Sequence, residues 1–159
     1  MFANDFGGRE QRFHLWFDPS EDFHSYSILW NQHQVVFFVD DFPITVFKNN
    51  SAIGGKFPSE PLHIEATIWN GTWAGNVNWS LSPFTTYYQN FTITGCQADY
   101  LHPEKCSSPE FEWNEEDQWE LNPRQRQQLR DIRKLHMFYD YCDQVNATLT
   151  YPECAVSKM

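Results

Sequence analysis

The number of strand-like runs constrains this chain more than any other feature. Between residues 13 and 94 the sequence offers about five or six of them. Closing two packed antiparallel sheets takes about eight. Residues 13–17 form a short aromatic run. Residues 23–30 alternate well enough for a half-buried strand. Residues 35–39 are nearly all apolar, which predicts a strand covered on both faces. Residues 40–43 then predict a turn, with Pro43 at the turn or at the start of the next strand because it has no N–H to give a ladder. Residues 44–47 return. Pro61 opens another predicted strand, with Leu62, Ile64, Ala66 and Ile68 on one face and His63, Glu65, Thr67 and Trp69 on the other. Such a polar and aromatic face either borders a hydrophilic ligand or meets plain solvent. Residues 70–80 read as loop and residues 84–94 as one more strand.

The pattern changes at Cys96. Residues 107–120 are acidic and contain Trp113 and Trp119, and read as loop. Asn122-Pro123-Arg124-Gln125 is a helix start: Asn122 caps, Pro123 suits the first turn and Gln125 can close a capping box. The helix is predicted to run to about Phe138, with Leu129, Ile132 and His136 as its inner stripe. Its arginines offset the acidic loop before it. The four cysteines fall into two local pairs, Cys96 with Cys106 and Cys142 with Cys154, without zinc or thioredoxin spacing. Two small disulfide loops are the reading, although spacing alone does not fix the pairing. Strands followed by a helix and two such loops suit a sandwich with an appended extension.

Cross-linked loops persist outside the cytosol. Five sequons, at Asn49, Asn70, Asn78, Asn90 and Asn146, agree with that compartment, since chance would supply about one or two. Met1-Phe2-Ala3-Asn4-Asp5-Phe6 has neither the basic nor the apolar part of an export signal. Extracellular chemistry without that signal, and too few strands for two sheets, both predict a chain incomplete at its N-terminus. The net charge of −10 opposes nucleic acid and anionic membrane surfaces as partners. No apolar run approaches the ~20 residues that span a bilayer. Seven Trp, seven Tyr and fourteen Phe suit either bulky core packing or flat platforms for sugar rings.

Cleaving a glycosidic bond takes two carboxyl groups, held about 5–5.5 Å apart in retaining enzymes. Glu-x-Asp-x-Glu on a strand would supply them on one face, and the sequence does not contain it. Glu110-Phe111-Glu112 comes nearest, but it sits in the acidic loop and reads as a solvated stretch. Glu65 is a lone carboxylate, at best a substrate contact. The six histidines show no metalloprotease spacing. His14 and His24 could cluster in neighbouring strands, with ordinary core or surface histidine as the alternative. No nucleophile elbow or phosphate loop is present.

Residues 9–30, REQRFHLWFDPSEDFHSYSILW, resemble the xyloglucan endotransglucosylase/hydrolase family of glycoside hydrolase family 16. Ile53-Gly54 with Phe57-Pro58 is similar to its IGxxFP, Ile68-Trp69-Asn70 with Trp73-Ala74 to its LWNxxxWA, and Trp79-Ser80 with Pro83-Phe84 to its DWSxxPF. Met137-Phe138-Tyr139-Asp140-Tyr141-Cys142 and Pro152-Glu153-Cys154 are similar to its C-terminal signature, so the likeness covers essentially the whole chain. The resemblance implies a mainly β fold: part of a concanavalin-like jelly-roll sandwich with a C-terminal extension of one helix and two disulfide loops. It divides the chain at residue 95, with 1–95 as jelly roll and 96–159 as extension. It implies an enzyme that cuts and religates the β-1,4-glucan backbone of xyloglucan in the cell wall, as an extracellular monomer needing no cofactor or metal. The family's catalytic motif has no counterpart here. A non-catalytic xyloglucan-binding remnant or pseudoenzyme is the alternative, and a secreted structural domain unrelated to sugar is a third reading.

The substrate contacts that the resemblance implies are Gly8, Arg9 and Glu10, then Trp73, Ala74 and Gly75. Gly8 stands where the family usually has Asp or Asn. A structural ion pair is the competing account of Arg9 and Glu10. The loop after Trp73-Ala74 is about five residues shorter than the family form. Val145-Asn146-Ala147 occupies a stretch where the family carries an Arg.

Overall fold

A computed structural model of the chain describes residues 7–71, 75–97, 99 and 101–156. Strands β2 (Tyr26–Trp30), β3 (Gln34–Val39) and β4 (Phe42–Lys48) form an antiparallel three-stranded sheet in chain order, while β1 (Gln11–Phe13) pairs with β5 (Met137–Asp140) in a second, two-stranded sheet. The fold is part of a jelly-roll sandwich with a C-terminal extension, and neither sheet closes.

Strand β3 is central and carries the core. Gln34, Val35, Val36 and Val39 are buried, and Phe37 and Phe38 are half-buried. Val35 faces Phe47 across the ladder, and both pack on Phe57, with Trp30 and Phe37 against them. The β3–β4 turn is a two-residue hairpin. Asp40 and Asp41 both take positive φ, 49° and 63°, which matches the twist of the flanking strands. Pro43 lies inside β4, buried, where the register slips between Phe37 and Phe38; a bulge is a place where a missing N–H is tolerated. The β2–β3 turn depends on Asn31. Its Oδ1 accepts from the amides of His33 and Gln34 at 2.9 and 3.0 Å.

The aromatic run at residues 13–17 is strand only to Phe13. Beyond it the segment leaves the ladder to fill a corner, where Trp16 meets Phe17, Phe42 and His136 at centroid distances of 5.5–5.8 Å. His14 and His24 have separate partners: His14 stacks on Phe138, whereas His24 stacks on Phe17 and bonds Asp40 at 2.6 Å.

Two expected strands do not form. Residues 61–70 and 84–94 are exposed throughout and join no ladder among the described residues. Alternation supplies a face, but a strand also needs a neighbouring strand to take its backbone hydrogen bonds, and no described strand takes either segment into a ladder.

The acidic segment is a loop, as its composition implied, but a pinned one. It crosses the face of β3–β4 that carries Gln34 and Lys48, which are register partners. Asn31 Nδ2 donates to the carbonyls of Trp113 and Gln118, and Gln34 Nε2 donates to Gln118 as well. Lys48 reaches Glu120 at 3.4 Å, and the Trp119 ring stacks on His33. Helix α1 (Pro123–His136) starts with the expected capping box between Asn122 and Gln125. Its inner stripe sits as expected, with Ile132 buried and Leu129 and His136 half-buried. Of its basic residues, Arg126 comes to 3.8 Å from Glu120, and Arg133 turns instead to Asp140 at 2.5 Å. The helix stops two residues short of Phe138, because Met137 adopts extended backbone and β5 joins the free edge of β1. A further four-residue helix, α2 (Ala147–Thr150), lies between Cys142 and Cys154. Both bridges form as paired in sequence, with Cα–Cα distances of 5.3 Å.

Replacing Asn122 by Ala should remove about 1 kcal/mol of stability, read as a lower denaturation midpoint. Asp40 gives a pH-dependent contribution. The bond from His24, then that from the Ser25 amide, hold its carboxyl below the ordinary value. A depressed pKa stabilises the fold above the unfolded value of about 4, and that stability is lost as pH falls through the folded value. Asp40→Asn should therefore unfold more readily than the parent at pH 6, and the two unfolding curves should converge towards pH 2.

Candidate functional site

Residues from three distant parts of the chain meet at the entry to β1. Gly7 and Arg9 precede the strand, Gly54 and Lys56 lie beyond β4, and Thr150, Tyr151 and Pro152 come from the loop closed by the Cys142–Cys154 bridge. Together they line a cavity of about 340 Å³.

Arg9 anchors this meeting. Its Nε donates to Glu153 Oε1 at 2.5 Å, and each side chain is only 3% exposed. The guanidinium lies over the ring of Tyr151, 5.0 Å from the centroid, and of Phe47, at 5.7 Å. A weakly hydrated planar cation suits such a site, where an ammonium would keep its water. The Tyr141 hydroxyl lies 3.5 Å from the same Glu153 oxygen. Burial, and then the charge on Glu153, push the Tyr141 phenol far above its ordinary pKa, so it stays protonated and can donate. Cys154 is fully buried beside Tyr141, Cys142 and Ala147, with Tyr151 and Tyr139 packed against them.

Asp140 ties this knot to the rest. It is buried and accepts from Gln11 Nε2 at 2.7 Å, Arg133 at 2.5 Å and the Cys142 amide at 2.9 Å. One carboxylate thus joins β1, α1, β5 and the disulfide loop.

Glu10 faces the other way. Arg12 grips its carboxylate through Nε at 2.7 Å and a second nitrogen at 3.2 Å, and this bond holds the Glu10 carboxyl below its ordinary range. Arg12 also lies 4.9 Å from the ring centroid of Tyr139, whose hydroxyl accepts from Gln144. Glu10, Arg12 and Tyr139 share one half-exposed face of the β1–β5 pair.

The sequence-predicted site residues therefore separate. Arg9 is held inside by Glu153, and Glu10 is on the surface with Arg12. Gly8 has φ of 87°, and a Cβ there would collide with the Tyr151 hydroxyl, so an Asp or Asn at this position would displace that ring. Gly75, also at positive φ (122°), is exposed. Trp73 and Ala74 lie outside the described residues. Asn49, Asn70, Asn78, Asn90 and Asn146 are all exposed. Glu65, Glu110 and Glu112 are exposed too. No cluster of His, Cys, Asp or Glu among the described residues could hold a metal ion, and no helix among them is long and apolar enough to cross a membrane.

Sequence reasoning assigned no role to Tyr151, Glu153, Lys56 or Asp140. For Glu153 the available signal was slight: an acidic residue directly before a bridged cysteine, facing a region 144 positions away.

The sequence profile of the glycosyl hydrolases family 16 matches residues 1–90, and that of the xyloglucan endo-transglycosylase (XET) C-terminus matches residues 107–154. The chain belongs to glycosyl hydrolases family 16. Within it, the resemblance to xyloglucan endotransglucosylase/hydrolases holds along nearly the whole chain. This family 16 chain is 41% identical to the probable xyloglucan endotransglucosylase/hydrolase protein 5 of Arabidopsis thaliana, over 97% of its own length and 55% of the relative's. It is 39% identical to the xyloglucan endotransglucosylase/hydrolase protein A of Phaseolus angularis, over 97% and 56%. Xyloglucan endotransglucosylase/hydrolase 1 of Glycine max is 38% identical, over 97% and 55%. The chain spans about half the length of the curated relatives it matches.

Arg9→Ala should lower stability by about 3–5 kcal/mol, because it leaves the Glu153 carboxylate buried without its cation. Arg12→Ala, in an open pair, should leave the denaturation midpoint nearly unchanged. Comparing the two midpoints in one denaturant series checks the contrast between the two arginines.

Proposed function

We propose that this chain contributes part of a xyloglucan-binding groove to a xyloglucan endotransglucosylase/hydrolase, an extracellular enzyme that cuts and religates the β-1,4-glucan backbone in the cell wall. One observation carries this reading: the stretch shared with relatives of that name converges on the cavity where Arg9, Lys56 and Tyr151 meet. The Tyr151 ring beside the Lys56 ammonium offers what a hydroxylated, C–H-faced sugar chain requires, a flat apolar face and a charged donor. On the adjoining β1–β5 face, Glu10 supplies acceptor oxygens and Arg12 supplies donors. Gly8, Trp73, Ala74 and Gly75 complete the proposed contacts. In this reading residues 1–95 belong to the jelly roll and residues 96–159 to the extension. The protein acts as a monomer on xyloglucan and its oligosaccharides, not on nucleic acid or membranes, and it needs no cofactor or metal.

Retaining transfer runs through a glycosyl-enzyme intermediate, which a sugar hydroxyl then attacks in place of water. The nucleophile and acid/base for those steps are not among this chain's residues. Glu-x-Asp-x-Glu is absent from the sequence, and the two carboxylates nearest the proposed contacts are already engaged, Glu10 by Arg12 and Glu153 by Arg9. That engagement supports a second reading, a xyloglucan-binding chain without turnover of its own. The two bridges and the five exposed sequons support an apoplastic location, with Asn49, Asn70, Asn78, Asn90 and Asn146 as glycan acceptors.

Retention on immobilised xyloglucan tests the groove. Binding of the chain, with weaker retention of Glu10→Gln and unchanged folding, is expected; passage straight through the column would rule the groove out. Labelled xyloglucan oligosaccharides should meanwhile remain unconverted by the chain alone, for want of the carboxyl pair that lowers the barrier by many powers of ten.

A further inference from the structure

We propose that the outer face of α1 is a docking surface for an acidic polysaccharide, a polyuronate, held by Arg124, Arg130 and Lys134. The chain has 21 Asp plus Glu against 11 Lys plus Arg, so carboxylates are in excess and a cation has many to choose from. Outside the helix, Arg9, Arg12, Lys48 and Lys105 each hold one. On α1, Arg126 and Arg133 do the same. No described carboxylate comes within ion-pair distance of Arg124, Arg130 or Lys134. All three are exposed, and they are aligned. Arg124, Gln127, Arg130 and Lys134 follow at spacings of three, three and four residues, which sets them in one stripe turned away from Leu129 and Ile132. Helix stability does not account for this stripe. A cation suits the last turn, where Lys134 lies, but it opposes the positive end of the helix dipole. Arg124 lies at that end, in a first turn without an acidic residue.

Length, polarity and charge identify the ligand. Arg124 and Lys134 are separated by about 15 Å of helix, so the ligand carries anionic groups in a row and not one isolated anion. Guanidinium forks suit carboxylates. The Gln127 amide accepts from Arg130 and donates to Asp131, and it keeps a second N–H and a second lone pair for sugar hydroxyls. A lipid surface would need apolar anchors, and Leu135 is the only large apolar side chain exposed on the helix. Nucleic acid would bring a denser charge against the chain's net −10. A polyuronate fits the extracellular setting of the proposed function, and the inference takes nothing else from that function. Asp131 lies within the stripe with the opposite sign, and so weakens the attraction.

The test measures binding of the whole chain to a linear oligogalacturonate, with phosphatidylserine vesicles and a neutral xyloglucan oligosaccharide alongside. Saturable binding to the oligogalacturonate is expected, weakening several-fold as salt rises from about 50 to about 200 mM. The variant carrying Arg124→Gln, Arg130→Gln and Lys134→Gln together should bind it at least about tenfold more weakly. All three side chains are exposed, so the variant's unfolding transition and its retention on xyloglucan should be unchanged. Asp131→Asn should bind the oligogalacturonate more tightly than the parent. Absent or salt-independent binding, an unaffected triple variant, or tighter binding to the vesicles than to the oligogalacturonate would each overturn the proposal.

Discussion

The buried ion pair between Arg9 and Glu153 holds the two ends of this structure together. Two charges with side chains 3% exposed are tolerable in a protein interior only because each neutralises the other. Aromatic faces on Tyr151 and Phe47 take up the rest of the guanidinium, and the Tyr141 hydroxyl approaches the carboxylate. The disulfide between Cys142 and Cys154 closes the loop that presents Glu153, and Asp140 fastens that loop to β1 and α1. The cavity at the entry to β1 has its shape because this pair brings residues 7–9 against residues 150–152.

The same constraint divides the neighbouring arginines. Arg9 and Arg12 lie on one short segment, both with a carboxylate partner, yet one pair is sealed and the other open to water. The sealed Arg9 organises the wall of the cavity at the entry to β1. The open Glu10–Arg12 pair stays within reach of solvent, which is why the proposed sugar contacts include the Glu10 carboxylate, while Arg9 takes part by shaping the cavity wall.

Much of the fold was legible because its signals are local. The Asn122–Gln125 capping box, the stripe through Ile132, the apolar run of β3 and both cysteine pairs depend on residues a few positions apart. The misreadings share a cause. Residues 61–70 and 84–94 have a strand's alternation, but pairing is a property of two segments, and alternation describes one. Residues 13–17 have a strand's composition, but Trp16 is drawn off into a corner by Phe42 and His136. Helix α1 ends before Phe138 because the edge of β1, far away in sequence, takes Met137 into a ladder.

By itself the sequence determined the family, the disulfide loops, the helix and its cap, and the lack of a carboxylate triplet for glycoside chemistry. All of these are written in short-range spacing or in motif identity. Only the tertiary structure decided that Arg9 is sealed by Glu153 while Glu10 stays on the surface, that Gly8 must lack a Cβ beneath Tyr151, and that residues 61–70 and 84–94 join no ladder among the described residues. Burial, ion pairing and strand pairing are set by whichever distant residue arrives alongside, and no window along the chain contains that residue.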